Sequence, residues 1–539
     1  MATITRSAAA DEAHAGDIRG ALGTISLDDT APRAGLSAKL KTLLAIVGPG
    51  LIVMCGDNDA GAFSTYGQAG QNYGTRLLWT LLLLIPVLYV NQEMVLRLGA
   101  VTGVGHARLI IERFGKSWAM LMVADLIILN ALTLVTEFIG ITMAAGYLGV
   151  PKLIAVLLAA AVILAAAGTG SFRRFERIAV ALCLGSLLLI PLFLVSHPSG
   201  AAMARGFTEP SLPGGSGGMA AVMLLIIGIV GTTIAPWQLF FQQSYVVDKR
   251  ITPRFIRYEK VDLWIGIVIV VVGAAALMGA TAAAFAGTKG AGHFTDAVGL
   301  AHGIAAHAGR VAGAVFAVAL LDASIIGAFA VSLSTAYAVG DTLGLKHSLN
   351  RGFRQAKGFY GIYAALIAVA ATIVLIPRAP LGLIIEGVQA LAGVLLPGAT
   401  VFLLLLCNDR AVLGPWANGR RTNMFTAVVI AVLISLSAVL TASVVFPGIT
   451  SRQIFLIIGG CLTAAVVMGG WILFRSLRVR SSVEIDRRDR ENWRMPPLNV
   501  LTKPVMSTGR KIALGILGSY MILAMILVLV RIIQMAVAS

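Results

Sequence analysis

Two groups of oxygen-bearing residues sit where long apolar segments are interrupted. In one, Gly48-Pro49-Gly50 is followed by Gly56-Asp57-Asn58-Asp59-Ala60-Gly61; in the other, Gly231-Thr232-Thr233-Ile234-Ala235-Pro236 is followed by Gln238. Carboxylates, amides and carbonyls released from helical bonding are hard donors, the kind that hold cations. Within a bilayer an unwound stretch leaves carbonyls without partners, which is tolerable only where protein or a wet cavity satisfies them. Paired breaks of this kind point to an ion or substrate site.

The elements that must position these residues are membrane helices. Of 539 residues, 58% are hydrophobic and only 12% charged, against about 25% charged in a soluble domain; mean hydropathy is +0.88. The net charge of +17 is dispersed through loops between apolar runs, which fits a membrane surface and argues against nucleic acid. Thirteen runs are long enough to cross about 30 Å of hydrocarbon. They lie near 42–67, 76–98, 117–148, 152–168, 175–196, 218–247, 261–287, 310–340, 359–377, 381–406, 424–446, 453–475 and 512–536, with those at 152–168 and 359–377 short.

With the N-terminus placed inside, most of the 42 Lys and Arg fall on cytoplasmic segments, as the positive-inside rule requires. The expected location is the inner (plasma) membrane, with the C-terminus outside. Residues 1–41 read as a disordered cytoplasmic tail, 42–406 as a ten-span core, 407–475 as two further spans, 476–511 as a basic cytoplasmic loop touching anionic lipid, and 512–539 as the last span. The four cysteines, Cys55, Cys183, Cys407 and Cys461, lie inside spans without metal-ligand spacing and read as small buried hydrophobes.

Five spans separate the starts of the two broken segments, and the odd number inverts the second half relative to the first. The expected fold is an all-α polytopic membrane protein with a LeuT-type 5+5 inverted repeat, discontinuous first and sixth transmembrane helices, and additional C-terminal helices. The repeat rests on topology, because no side-chain identity links the halves.

The stretch from Gly48 to Gly74 resembles the first span of the Nramp family of divalent-metal transporters. The family motif Asp-Pro-Gly-Asn falls on Asp59, Ala60, Gly61 and Ala62. Gly231 through Gln242 is similar to the family's sixth-span segment, with its Ala on Thr232, Met on Ala235, Pro on Pro236, His on Trp237, Asn on Gln238 and a later His on Gln242. Gln389, eight residues before Pro397, matches a family Gln on span ten. The resemblance covers about residues 42 to 475 and implies a divalent cation as cargo, with no cofactor, no enzymatic activity and the lipid bilayer as surroundings.

The departures are informative. Ala235 removes a thioether and Ala62 an amide, which leaves oxygen donors suited to hard cations. Mg²⁺ dehydrates reluctantly and is held through one or two carboxylates with waters retained, and Mn²⁺ binds weakly enough to share such a site. The pattern resembles the Nramp-related magnesium transporter branch. On this reading Asp59 is the metal-binding carboxylate, since an intramembrane acid is costly unless it serves an ion; its alternative role is to cap the second half-helix. Asp57 and Asn58 contact waters of a hydrated ion, or else cap or face the cavity wall. Thr232 offers a carbonyl, Gln238 an amide that touches water, and Gln389 faces them, with interhelical hydrogen bonding the competing account. Of the remaining acids, Glu137 matches a family carboxylate, Asp322 lines the pathway or pairs with another helix, Glu386 is interfacial, and Asp125 and Asp262 are boundary residues.

The family's proton-linked positions fall on Leu134, Trp237 and Gln242, none of which carries a proton near neutral pH; Glu137 alone is retained. Transport without obligatory proton coupling is therefore expected, with a proton-coupled Mn²⁺/Fe²⁺ transporter as the alternative. An organic-solute symporter shares the architecture, but an acid at position 59 repels a substrate carboxylate. No channel filter loop is visible, and the seven histidines lie in tails, loops or span ends without a His-Glu-x-x-His pattern.

Overall fold

The computed structural model describes residues 12–213, 218–376, 381–446, 449–478, 490–501, 504 and 508–538. α1 (Leu36–Ile46) turns by 53° into α2 (Pro49–Cys55). Pro49 opens α2 at a position where its missing N–H costs nothing. After the break, α3 (Ala60–Tyr73) completes the first broken span. There follow α4 (Trp79–Thr102), α5 (Lys116–Tyr147), α6 (Lys152–Ala167), and a fifth span built of α7 (Phe172–Cys183), a 3-10 stretch (Leu184–Leu188) and α8 (Leu189–Ser196). The second broken span is α9 (Gly218–Thr233) and α10 (Pro236–Asp248). The chain continues through α11 (Ile256–Phe285), α12 (Arg310–Leu343), α13 (Lys357–Leu375), α14 (Leu381–Cys407), α15 (Arg420–Val445), α16 (Ser451–Arg478) and α17 (Thr508–Ala538).

Each of the thirteen apolar runs is therefore helical. Among the described residues nine helical stretches are long and apolar enough to cross a membrane, Phe172–Ser196 and Ala221–Asp248 being composite, while the 16-residue α6 is shorter. The protein is an integral membrane protein. Its packing follows the five-span offset: α2 and α3 lie on α11, and α10 lies on α4, so each broken span meets the second helix of the opposite set. Likewise α2 touches α7 and α9 touches α14, while α5 runs along α12.

The face where α2 begins and α10 ends, called here the proximal face, holds several buried charges. Lys249 Nζ reaches Glu176 Oε1 at 2.8 Å, with both side chains fully buried, and also donates to the carbonyls of Ile46 (2.6 Å) and Val47 (2.9 Å) at the bend between α1 and α2. A side chain at Gly48 would overlap the Glu176 carboxylate, so only glycine lets the bend sit there. Asp262 is buried and accepts from the N–H groups of Gly48 (3.2 Å), Gly50 (2.6 Å) and Leu51 (3.3 Å). A carboxylate on those first-turn donors also complements the helix dipole. Asp262 is thus a cap for α2 and not the boundary residue read from sequence. Asp125 is buried as well, at 3% exposure, and its Oδ1 has no partner.

Three further expectations change. Residues 12–41 are not a disordered tail: a 3-10 turn (Glu12–His14) leads into an antiparallel pair, β1 (Ile18–Arg19) with β2 (Thr24–Ile25), and Ile18, Ala21 and Ile25 are buried. The segment has too few apolar residues for a core of its own and borrows that of the bundle. Within 476–511 much lies outside the described residues, but 490–501 packs: Met495 is buried and donates its N–H to the Val101 carbonyl at 3.3 Å. Cys55, Cys183 and Cys407 are buried as expected, whereas Cys461 is only half-buried, because its helix lies at the rim. The Glu386 side chain lies outside the described residues.

Near the proximal face His347 follows α12, with Nε2 at 3.1 Å from Asp341 Oδ1 and Nδ1 at 2.7 Å from the Leu345 carbonyl. Burial pushes its pKa down, but the Asp341 hydrogen bond and charge, the Leu345 carbonyl and the nearby Asp248 carboxylate outweigh this and leave it at about 9. Raised above the ordinary 6.5, the group contributes stability that is complete below that pH and is lost as pH rises through 9. We expect the thermal-unfolding midpoint to fall across this window, by the equivalent of about 1–3 kcal/mol. His347→Gln should remove most of the slope, and an unchanged slope in that variant would refute the assignment.

Candidate functional site

The first break begins as α2 unwinds. Gly56 N–H still reaches the Ile52 carbonyl (2.9 Å), but Asp57 and Asn58 bond only three residues back, to Met54 (3.2 Å) and Cys55 (3.3 Å). Asp59 is extended, with φ −77° and ψ −171°, and its Oδ1 accepts from the Ala62 N–H at 2.8 Å. The capping role is therefore real. It uses one lone pair of a carboxylate that stands beside the Glu137 carboxyl. Glu137 Oε2 accepts from the Ala60 N–H at 3.3 Å. Gly327 on α12 makes room here, since a Cβ would stand 2.9 Å from Glu137 Oε2 and 3.1 Å from Asp59 Cβ.

The second break follows from Pro236. Lacking an N–H, it leaves the carbonyl of Thr232, four residues earlier, without a helical donor. Ala235 is extended, with φ −106° and ψ 149°, and α10 starts at the proline. The two breaks are joined twice. Thr233 Oγ1 gives its only proton to the Ile229 carbonyl (2.5 Å), so the Tyr66 hydroxyl donates to it at 2.6 Å. Gln238 Nε2 donates to Asp57 Oδ1, while Gln92 Nε2 donates to Gln238 Oε1 at 2.8 Å. The Gln92 bond fixes the amide so that Gln238 presents N–H groups to Asp57. Gln238 thus steadies an acid and does not offer its own oxygen to the site.

Gln389 on α14 reaches the same place. Its amide lies where a Cβ of Gly61 would have to be, and Asp59 Oδ1 is 3.1 Å from that point. The bare backbone of Gly231 lets α14 approach at Gln389 and Gly393. Asn58 turns its Nδ2 to the Val270 carbonyl at 3.5 Å. Asp57, Asn58, Asp59, Thr232, Ala235, Gln238 and Gln389 are all at most 5% exposed. A cavity of about 250 Å³, lined by Thr65, Gln68, Asn72, Gly228, Phe294 and Gln389, leads toward Gln389 from the end of the bundle opposite the proximal face.

Four buried oxygens here have no hydrogen-bond partner: Asp57 Oδ2, Asn58 Oδ1, Thr232 Oγ1 and Glu137 Oε1. Unpaired buried acceptors are costly. Waters around a cation aim their hydrogens outward, so the three acid and amide oxygens suit a hydrated cation, while the Thr232 hydroxyl and the unpartnered Gln389 Nε2 can also donate. No group of three or more His, Cys, Asp or Glu close enough to hold a bare metal ion occurs among the described residues. The two sulfur-bearing residues before the break, Met54 and Cys55, are both fully buried, and Met54 packs on Gly266 of α11. Asp322 lies apart from the site, against Gly185 in the 3-10 stretch of the fifth span. Gln92 was not singled out from sequence; the polar run Asn91-Gln92-Glu93 inside an apolar helix is the signal that could have found it.

Comparisons with known proteins extend this picture. The profile of the Nramp family, described as natural resistance-associated macrophage protein-like, matches residues 50–443. A divalent metal cation transporter MntH of Ralstonia nicotianae is 30% identical over 398 residues, covering 71% of this chain and 87% of its own. The MntH of Yersinia enterocolitica is 26% identical over 436 residues, covering 77% and 98%. Among solved structures, a manganese transporter of Eremococcus coleocola superposes with a TM-score of 0.63 at 21% identity, covering 85% of this chain and 99% of its own. That likeness establishes the fold, the LeuT-type arrangement with broken first and sixth helices.

Proposed function

This chain belongs to the Nramp family, and from that premise we propose that it imports divalent metal ions, with Mg²⁺ as cargo and Mn²⁺ also accepted, by alternating access without obligatory proton coupling. Its relatives are named as divalent metal cation transporters, not enzymes. The observation that carries the reading is the set of unpaired oxygens around Asp59, together with Ala235 where the family places a thioether. Oxygen donors without sulfur favour hard cations, and a partly hydrated guest matches Mg²⁺, which gives up water reluctantly. Asp59 supplies the direct charge, Asp57 and Asn58 accept from bound waters, Thr232 offers its uncommitted carbonyl, and Gln389 closes the site from α14. The N-terminus is taken as cytoplasmic and the C-terminus as external, following the distribution of Lys and Arg.

An inside-negative potential supplies the driving force, about 4.6 kcal/mol per 100 mV for a divalent ion, twice the value for one charge. Leu134, Trp237 and Gln242 carry no proton relay. One observation favours the coupled alternative: the Glu137 carboxyl, retained where the family has an acid, stands beside Asp59. Both questions are answered in proteoliposomes. Millimolar Mg²⁺ is expected to suppress Mn²⁺ uptake, and Mn²⁺ influx untouched by Mg²⁺ would overturn the magnesium reading. An enclosed pH dye is expected to stay silent during metal influx, and acidification that tracks the metal would establish coupling.

A further inference from the structure

Residues 12–31 run across the proximal face as a strap, which the bundle grips mainly by its backbone, with His14 Nε2 also 3.6 Å from Asp248 Oδ1. Arg250 donates from Nε (3.0 Å) and Nη2 (2.8 Å) to the Ala13 carbonyl and from Nη1 to that of Asp17 (3.2 Å). Arg254 reaches the carbonyls of Asp29 (2.8 Å), Thr30 (2.6 Å) and Ala31 (2.9 Å), and Arg177 that of Ala21 (3.0 Å). In return the Ala21 N–H donates to the buried Glu176 Oε2 at 2.6 Å. Charge-assisted bonds of this kind are strong.

Two features mark this as more than a terminus lying on a surface. Arg250 has φ +67°, one of two non-glycine residues with positive φ among the described residues; such strain persists only where the surroundings enforce it, and it clusters at clamps and switches. The residue so held makes three of the bonds to the strap, as does Arg254. The strap also lies over the bend between α1 and α2. Gly20 abuts the Ala45 carbonyl so closely that a Cβ would overlap it, and the Glu176 that Ala21 caps is the partner of Lys249, which holds the carbonyls of Ile46 and Val47. A half-helix that must move for the proximal face to open is thus pinned through the strap.

We propose that Arg177, Arg250, Arg254 and Glu176 form a docking site for an extended peptide, occupied by residues 12–31 of this chain, and that release of this segment frees α2 and opens the proximal face. The strap buries few apolar side chains, Ile18, Ala21 and Ile25 among them. Its hold therefore depends on the guanidinium bonds, with the His14–Asp248 contact beside them, and is reversible in the way of other locally stable segments.

Two native thiols report the state of this face: Cys55 at the end of α2, 0% exposed, and Cys183 at the end of α7, 4% exposed. In a Cys407→Ser/Cys461→Ser background, a membrane-impermeant maleimide applied from the proximal side should label them slowly. Removal of residues 1–31 is expected to raise the rate about tenfold or more, the scale of losing one charge-assisted hydrogen bond. Arg250→Gly should do the same while relieving the left-handed backbone, so that misfolding is not the cause. A synthetic peptide of residues 12–31 added to the truncated protein should slow labelling again. Unchanged labelling in Arg250→Gly, or a peptide without effect on the truncated protein, would overturn the proposal. The measurement needs no cargo, so its outcome is separate from that of the metal reading.

Discussion

In proteoliposomes, Asp59→Asn is expected to cut the initial rate of Mn²⁺ uptake by about 100-fold, the loss of roughly 2.7 kcal/mol of cation interaction. Asparagine is the sharper variant because it caps a helix about as well as aspartate, so the bond to the Ala62 N–H survives and the charge alone is lost. Asp59→Ala should abolish uptake equally and also weaken α3 by about 1 kcal/mol through the lost cap. The two variants therefore separate the two roles that the sequence left open for this residue. Equal unfolding midpoints for Asp59→Asn and the native protein, with uptake lost, fit the metal-binding role. Native uptake by Asp59→Asn would leave the residue as a cap only.

Lys249→Met should be the most damaging substitution on the proximal face. Lys249 is 1% exposed, pairs with Glu176, and stands near two other buried acids, Asp262 and Glu259. Breaking a buried pair from one side costs about 3–5 kcal/mol because the remaining charge has no water to turn to. The carbonyls of Ile46 and Val47 would lose their donor as well. A drop in unfolding midpoint of several degrees is expected, with most of it recovered in Lys249→Met/Glu176→Gln, which removes the stranded charge. A double variant as unstable as the single one would show that the cost lies in packing and not in electrostatics.

Much of the fold was legible because bilayers impose strong rules on sequence. Gly, Pro and polar residues crowded within a turn or two of an apolar run point to a break, whereas a single proline such as Pro86 or Pro397 does not, and the Gly56–Gly61 and Gly231–Pro236 breaks lie where those clusters predict. The clustering of Asp57, Asn58, Asp59, Thr232, Ala235, Gln238 and Gln389 followed from the same logic plus the family pattern. What escaped was contact without periodicity. Asp262 caps α2 across 212 residues of chain, and Gln92 sets the amide of Gln238 across 146; neither spacing has a local signature. The strap was misread for a related reason: guanidinium groups bound to backbone carbonyls impose no side-chain pattern on the segment they hold, so its composition reads as unfolded.

The double stitching of the breaks has a mechanical corollary. Tyr66 with Thr233 fastens α3 to the end of α9, and Asp57 with Gln238 fastens the first uncoiled stretch to α10. Two rods lashed at two points cannot pivot separately about the crossing. Thrust applied to one is delivered to its mate, and the crossing itself behaves as a rigid yoke that is carried along with its passenger.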